Sequence, residues 1–485
     1  MKKIILTIVG ILLMGCAPSK KTEDATFEKL TELIDQYAQN TLNKGNINSL
    51  AVSLYKDGAI YQNYYGEIDN GVHNTPNDNT LYEIASISKV FVGSLAAKAV
   101  LERKITLDDD INTYLNTDFP RLEFEGQPVT IRNLLTHTLG FKTPNTLAAV
   151  YKKTAEGYYE NRAFDYNMNK LFEELKTVEL DKKPGTYYDY NNIGPELVAH
   201  ILEQVYKRPY KDLLTDFFKE LDMNHSYLQD YDAHKDELST SYDKNRKPAP
   251  LDKNPLLGGA YGIITTLPDL TKFMKFQLEG NAPFIKESTR FLFKDEDGGT
   301  GYLWDVGIAE KEGFYYSKTG TSNGVQSGIL VCPDSDYGLV LIMNNKSDDA
   351  LNDWASLYNI IEYDLIEYPK INLWSLVEPM FMENPKEAFE KYRELKIDST
   401  QYFASSNYLN NIGYNLLYDN QIQKAIRVFE FAVSEDPENA NLYDSLGEAY
   451  FMFKDDDNAL KNYKKSLELN PKNKNAQAYI LKLSK

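Results

Sequence analysis

Apolar residues along the chain follow three rhythms, and each predicts a different kind of element. Residues 50–55 and 59–65 are strand-like runs joined by Lys56, Asp57 and Gly58, which reads as a β-hairpin. Much later come the strand-like runs 314–317, 325–331 and 337–343, with Pro333 to Asp336 as the turn between the last two. Between the two clusters the spacing lengthens to the helical period: 90–101 is an apolar helical run, and 131–135, 192–205, 209–218 and 267–278 are further helical segments. Strands at both ends with helices between them predict an α+β fold, an antiparallel sheet assembled from distant segments and flanked by helices with a helical subdomain.

From about residue 370 the pattern turns wholly helical and repeats. Gly413 recurs as Gly447, Ala425 as Ala459 and Pro437 as Pro471, each 34 residues on. Leu409, Ile412, Leu416, Phe429 and Ala432 correspond to Tyr443, Leu446, Tyr450, Tyr463 and Ser466. Period and residue classes together resemble two tetratricopeptide repeats of paired helices, at about 406–439 and 440–473. Two repeats bury little surface alone, so helices at 372–381 and 386–395 and a capping helix at 476–483 are expected to complete the stack. Such a module serves equally as a buttress or as a surface for a protein or peptide partner.

The 485 residues exceed one ordinary core, so two domains, or one large domain with an appendage, are expected. A formal net charge of -18 repels phosphates and excludes nucleic acid as a partner. Lys2 and Lys3, an apolar run over 4–14, then Gly15 and Cys16 have the layout of a secretory leader. Leu13, Met14, Gly15, Cys16 resembles the bacterial lipoprotein signal. That resemblance implies a signal peptide over 1–15, acylation of Cys16, a polar tether over 16–26, and a place in the cell envelope, at the outer membrane or in the periplasm. The apolar run is too short to span a bilayer, so membrane attachment is expected through the lipid alone. Cys332 then stands alone in an apolar run and is expected in the core. The five histidines form no HExxH and pair with no cysteine cluster, so neither metal nor cofactor is expected.

Chemistry enters with Ser86, Ile87, Ser88, Lys89 at the head of the 90–101 helix. Positions three apart share a helix face, which sets the lysine amine beside the serine hydroxyl and makes a nucleophile without a histidine. Tyr190, Asn191, Asn192 and then Lys318, Thr319, Gly320 follow in order. The set resembles the serine β-lactamase and penicillin-binding-protein family, in its class C-like branch with tyrosine leading the middle motif. The resemblance covers residues 27–368 and leaves 369–485 to the helical domain. Thr136, His137, Thr138, Leu139, Gly140 matches the family's His-Thr-x-Gly turn, and Pro184, Gly185, Thr186 and Gly258, Gly259 also fall where relatives place them.

What the resemblance implies is specific. Ser86 would carry the acyl-enzyme, and Lys89 would lower the proton affinity of Ser86 and Tyr190. Tyr190 would be the general base if its hydroxyl fell below the free value of about 10. Asn192 would bond the substrate amide and steady Lys89, and the backbone N–H groups of Ser86 and Thr321 would form the oxyanion hole. Lys318, Thr319 and Ser322 would attract a substrate carboxylate, and small Gly320 would let substrate lie along the strand edge. Lysine at 318, where many relatives have histidine, leans towards anionic, peptide-like or β-lactam substrates. His137 is expected to be a turn histidine held by backbone.

Two competing motifs fail on context. Gly320 to Gly324 matches Gly-x-Ser-x-Gly, but the run after it reads as a strand and no histidine follows His234. Asp295, Glu296, Asp297, Gly298 lacks the spacing of a calcium loop. The expected function is a serine hydrolase of the β-lactamase, D-alanyl carboxypeptidase or esterase type, its substrate a peptide of the cell wall, an ester or a β-lactam. The alternative is a partner-binding protein whose repeats do the binding, with the hydrolase domain as sensor or scaffold.

Overall fold

The computed structural model describes residues 20–115, 119–142, 166–295 and 298–483. The expected signal peptide and Cys16 lie outside the described residues. The segment expected as a tether already enters helix α1 (Lys20–Asn43) at its fourth residue beyond Cys16.

One eight-stranded antiparallel sheet organises the first three quarters of the chain. Its strands are β1 (Ser49–Lys56), β2 (Ala59–Gly66), β3 (Phe293–Lys294), β4 (Gly299–Thr300), β5 (Asp305–Ala309), β6 (Gly313–Thr321), β7 (Gln326–Cys332) and β8 (Tyr337–Met343). The order across the sheet is β2, β1, β8, β7, β6, β5, β4, β3. The N-terminal hairpin therefore adds to the last strand, with Leu50 opposite Met343 and Tyr55 opposite Gly338, as the two separated strand clusters predict.

β8 is buried along its whole length, which is why it reads as an unbroken apolar run rather than an alternation. Its side chains still alternate between two cores. Val340 and Ile342 join the core beneath helices α2 (Ser88–Leu101), α3 (Ile193–Tyr206) and α4 (Leu267–Glu279). Leu339, Leu341 and Met343 join the opposite core under α1 and α5 (Asp348–Glu367), with Cys332 beside them. Helix α2 is apolar around nearly its whole circumference because it is central; Phe91 on it stacks on Phe273 of α4 at 4.3 Å.

Among the described residues, seven further helices follow α5: α6 (Leu373–Glu383), α7 (Pro385–Lys396), α8 (Ser406–Tyr418), α9 (Ile422–Glu435), α10 (Ala440–Met452), α11 (Asp456–Leu469) and α12 (Lys474–Leu483). Each pairs with a sequence neighbour. Polar ties join them to the sheet domain: Lys44 reaches Asp353 at 2.9 Å and Asp419 at 3.1 Å, and Ser356 Oγ donates to Asn415 Oδ1 at 2.7 Å.

Candidate active site

The strand Tyr82–Glu83 pairs with Ile263–Thr265, then the chain turns sharply into one 3-10 turn, Ala85–Ile87, and on into α2. Ala85 takes φ +43°, a left-handed conformation that alanine seldom adopts, so the turn carries backbone strain at the residue before the serine. Two bonds pin it: Ile84 N–H donates to Ile263 O at 3.2 Å, and Ile263 N–H donates to Ser88 Oγ at 3.2 Å. Ser86 thus stands at the head of α2, with Lys89 below it on the same face.

Lys89 is fully buried. Its Nζ lies 3.1 Å from Ser86 Oγ, 2.7 Å from Asn192 Oδ1 and 2.8 Å from Ala260 O. Burial first, and the charge of Lys318 second, push the amine well below its ordinary range. Asn192 caps the start of α3, so that helix aims its carbonyl at the lysine.

Tyr190 comes from the loop before α3. Its Oη donates to Ser86 Oγ at 2.6 Å. His137, in the turn after the short helix Ile131–Leu135, holds that loop by backbone: His137 O accepts from Asp189 N–H at 2.8 Å, and Nδ1 accepts from Asn191 N–H at 3.4 Å. Its ring lies 4.6 Å from the Tyr190 ring and stays neutral, since burial and the two lysines drive its pKa well down. The tyrosine itself corrects an expectation. Burial raises its hydroxyl, the bond to Ser86 lowers it and Asp305 raises it, and together they bring it to about 12. Desolvation outweighs the bond to Ser86, and the Nζ atoms of Lys89 and Lys318 lie 5.0 and 5.2 Å from the ring centroid.

The opposite wall is β6. Alternation turns Thr319 and Thr321 outward and buries Lys318 and Gly320. Lys318 Nζ lies 3.1 Å from both oxygens of Asp305. Gly320 is small for a reason that the sequence does not show. A Cβ there would stand 2.2 Å from Ile84 O, on the side facing the nucleophile turn, so the glycine lets two backbones meet. Ser322 also departs from expectation: buried, it donates to Glu83 Oε2 at 3.3 Å and accepts from Gly324 and Val325 N–H at 3.4 and 3.1 Å, so it shapes the turn.

Three acids were missed by sequence reasoning. Buried Glu196 on α3 accepts from Asn254 Nδ2 at 2.7 Å and from the N–H groups of Leu257, Gly258 and Ala260 at 3.0, 3.1 and 2.9 Å, fixing the loop that offers Ala260 O to Lys89. A single carboxylate in an otherwise apolar first turn was its only signal. Glu83, raised by burial to about 8, accepts from Asp252 N–H at 2.7 Å. Asp305 had no signal, since nothing in one strand's sequence names its neighbour. Among the described residues, no cluster of three or more His, Cys, Asp or Glu side chains is arranged to hold a metal ion.

Comparison with known proteins gives the site its context. A family model described as Beta-lactamase matches residues 30–359. Protein flp of Staphylococcus aureus is 28% identical over 335 residues, a stretch that covers 65% of this chain and 63% of that protein, so the chain spans less than two thirds of this relative's length. A solved class C beta-lactamase superposes with a TM-score of 0.58 at 23% identity, over 70% of this chain and 96% of the other. A beta-lactamase/D-alanine carboxypeptidase from Yersinia pestis gives 0.59 at 18% identity, over 70% and 98%.

Proposed function

The chain belongs to the beta-lactamase family, and from that premise we propose that it is a serine hydrolase working through an acyl-enzyme on Ser86. One observation carries this: Ser86 Oγ is touched at once by Lys89 Nζ and Tyr190 Oη, at 3.1 and 2.6 Å. With its amine pushed down, neutral Lys89 gives its two N–H bonds to Asn192 Oδ1 and Ala260 O and keeps a lone pair for the Ser86 proton. The serine oxygen then attacks the acyl carbon. The N–H groups of Ser86 and Thr321 receive the oxyanion, a contribution of about 3–4 kcal/mol per donor in comparable sites. Tyr190, held protonated, gives its proton to the leaving group and regains one from the Lys89 ammonium. Lysine is thus the base and tyrosine the acid, a change from the tyrosine base that the resemblance implies. Water repeats the sequence on the acyl-enzyme.

The test uses a neutral ester, p-nitrophenyl acetate, with mass mapping of the acetylated peptide. The expected result is acetate on Ser86 and turnover reduced at least ~10³-fold in Ser86→Ala. Turnover by Ser86→Ala equal to wild type would sink the reading and leave the partner-binding scaffold in its place.

Two further proposals concern the rest of the chain. Residues 406–439 and 440–473 are read as two tetratricopeptide repeats offering a surface to a peptide or protein. Equivalent packing supports this, since Gly413 sits against Phe429 and Gly447 against Tyr463. Cys16 is read as the acylated residue of an envelope lipoprotein, and labelled palmitate that entered Cys16→Ser as readily as wild type would refute that.

A further inference from the structure

The strand wall of the cleft is electrically occupied before any substrate arrives. Lys318 is almost wholly enclosed, its side chain 4% exposed, and its Nζ faces both oxygens of Asp305 at 3.1 Å. Asp305 opens β5 across from Ser317, the residue before Lys318, and its carboxylate is within reach of the long lysine side chain. The pair is asymmetric, because the Asp305 side chain remains 46% exposed. What a ligand meets at this point is therefore the carboxylate, with the ammonium behind it. The same Lys318 Nζ lies 5.2 Å from the centroid of the Tyr190 ring, so the ion pair borders the reacting centre.

Two further lysines among the described residues feel nearby carboxylates. Lys89 points its Nζ at two carbonyl oxygens and Ser86, and feels Glu196, Asp252 and Asp305. Lys346, just beyond β8, is faced by Asp252. A free carboxylate brought to Lys318 would sit beside Asp305, and like charges so placed oppose binding. An uncharged ester or amide carries no such cost, and an amide N–H can donate to the exposed Asp305 oxygen.

Building on the hydrolase reading above, we propose that Asp305 determines the substrate class of this site: acyl compounds that are uncharged where they lie over Lys318, such as esters and amide-capped peptides, in preference to those ending in a free carboxylate. This reverses the anionic preference that Lys318 suggests when its strand is read alone.

The test is a matched pair of chromogenic thioesters, one ending in a free carboxylate and one in the corresponding methyl amide, compared by kcat/KM on wild type, Asp305→Asn and Asp305→Glu. Because Asp305 also raises the Tyr190 hydroxyl, absolute rates will move in Asp305→Asn; the ratio between the two substrates removes that common factor. Wild type and Asp305→Glu are expected to favour the amide at least ~10-fold, and Asp305→Asn to lose or invert that preference. A ratio unchanged within twofold in Asp305→Asn overturns the proposal.

A second arm needs no chemistry. With Ser86→Ala as background, calorimetry with the same two compounds is expected to show the carboxylate binding at least ~10-fold tighter once Asp305→Asn is added, and the amide changing far less. Equal effects on both compounds overturn the proposal even if turnover is never observed. Failure of p-nitrophenyl acetate turnover would bear on the hydrolase reading alone.

Discussion

The two walls of the cleft each present a buried lysine, and the two are held in opposite ways. On the helix wall, Lys89 touches carbonyl oxygens and a hydroxyl, and burial together with the charge of Lys318 outweighs the fields of Glu196, Asp252 and Asp305, so its amine is driven down. On the strand wall, Lys318 meets a carboxylate through both oxygens. Dipoles alone leave a lysine able to exchange a proton; a carboxylate makes the second lysine half of an ion pair. The same residue type thus supplies proton traffic on one side and local charge on the other, and what selects the role is the partner's formal charge.

The sharpest way to break this contrast is Lys89→Met. It removes the proton acceptor, and kcat for p-nitrophenyl acetate is expected to fall ~10²–10⁴-fold with KM little changed. A comparable fall in Lys318→Met would erase the distinction; that variant is instead expected to act mainly through KM, by about tenfold. The pH profile sharpens the same point. Neutral Lys89 is the active form, so kcat/KM should rise with pH through a value well below the ordinary lysine range. It should hold its plateau until Tyr190 loses its proton near about 12. A descending limb at neutral pH would mean that a required proton donor is lost there, and would overturn the assignment of Lys89 as base and Tyr190 as acid. The smallest expected effect lies where the walls touch. Gly320→Ala would press on Ile84 O and should cost about 1–3 kcal/mol in denaturant unfolding, with kcat falling because Ile84 leads into the Ser86 turn.

How much of this was legible in the sequence depends on the range of the interaction. The Ser86 and Lys89 pair is local, three residues apart on a helix, and the period of the helix places them. The hairpin 49–66 and the strands of 313–343 were readable from their apolar runs and turn residues, and their meeting followed from having two strand clusters to pair. Charges were harder. The Tyr190 pKa could be argued either way from composition, and only the enclosure of its hydroxyl decided that desolvation wins. Asp305 and Glu196 act across the fold on residues far away in sequence. Gly320 was legible as a small residue, but the atom that requires it to be small belongs to Ile84.

The strand order bears on how the protein comes into being. β1 lies between β2 and β8, with Leu50 opposite Met343, so during synthesis the first hairpin waits with one apolar edge unpaired until nearly the whole sheet domain has left the ribosome. Pairings of such sequence separation form slowly, and an exposed strand edge recruits other chains in the meantime. The interval before β8 arrives is therefore the stage of this chain's life at which aggregation competes with folding, and β1 is the segment that would need shielding.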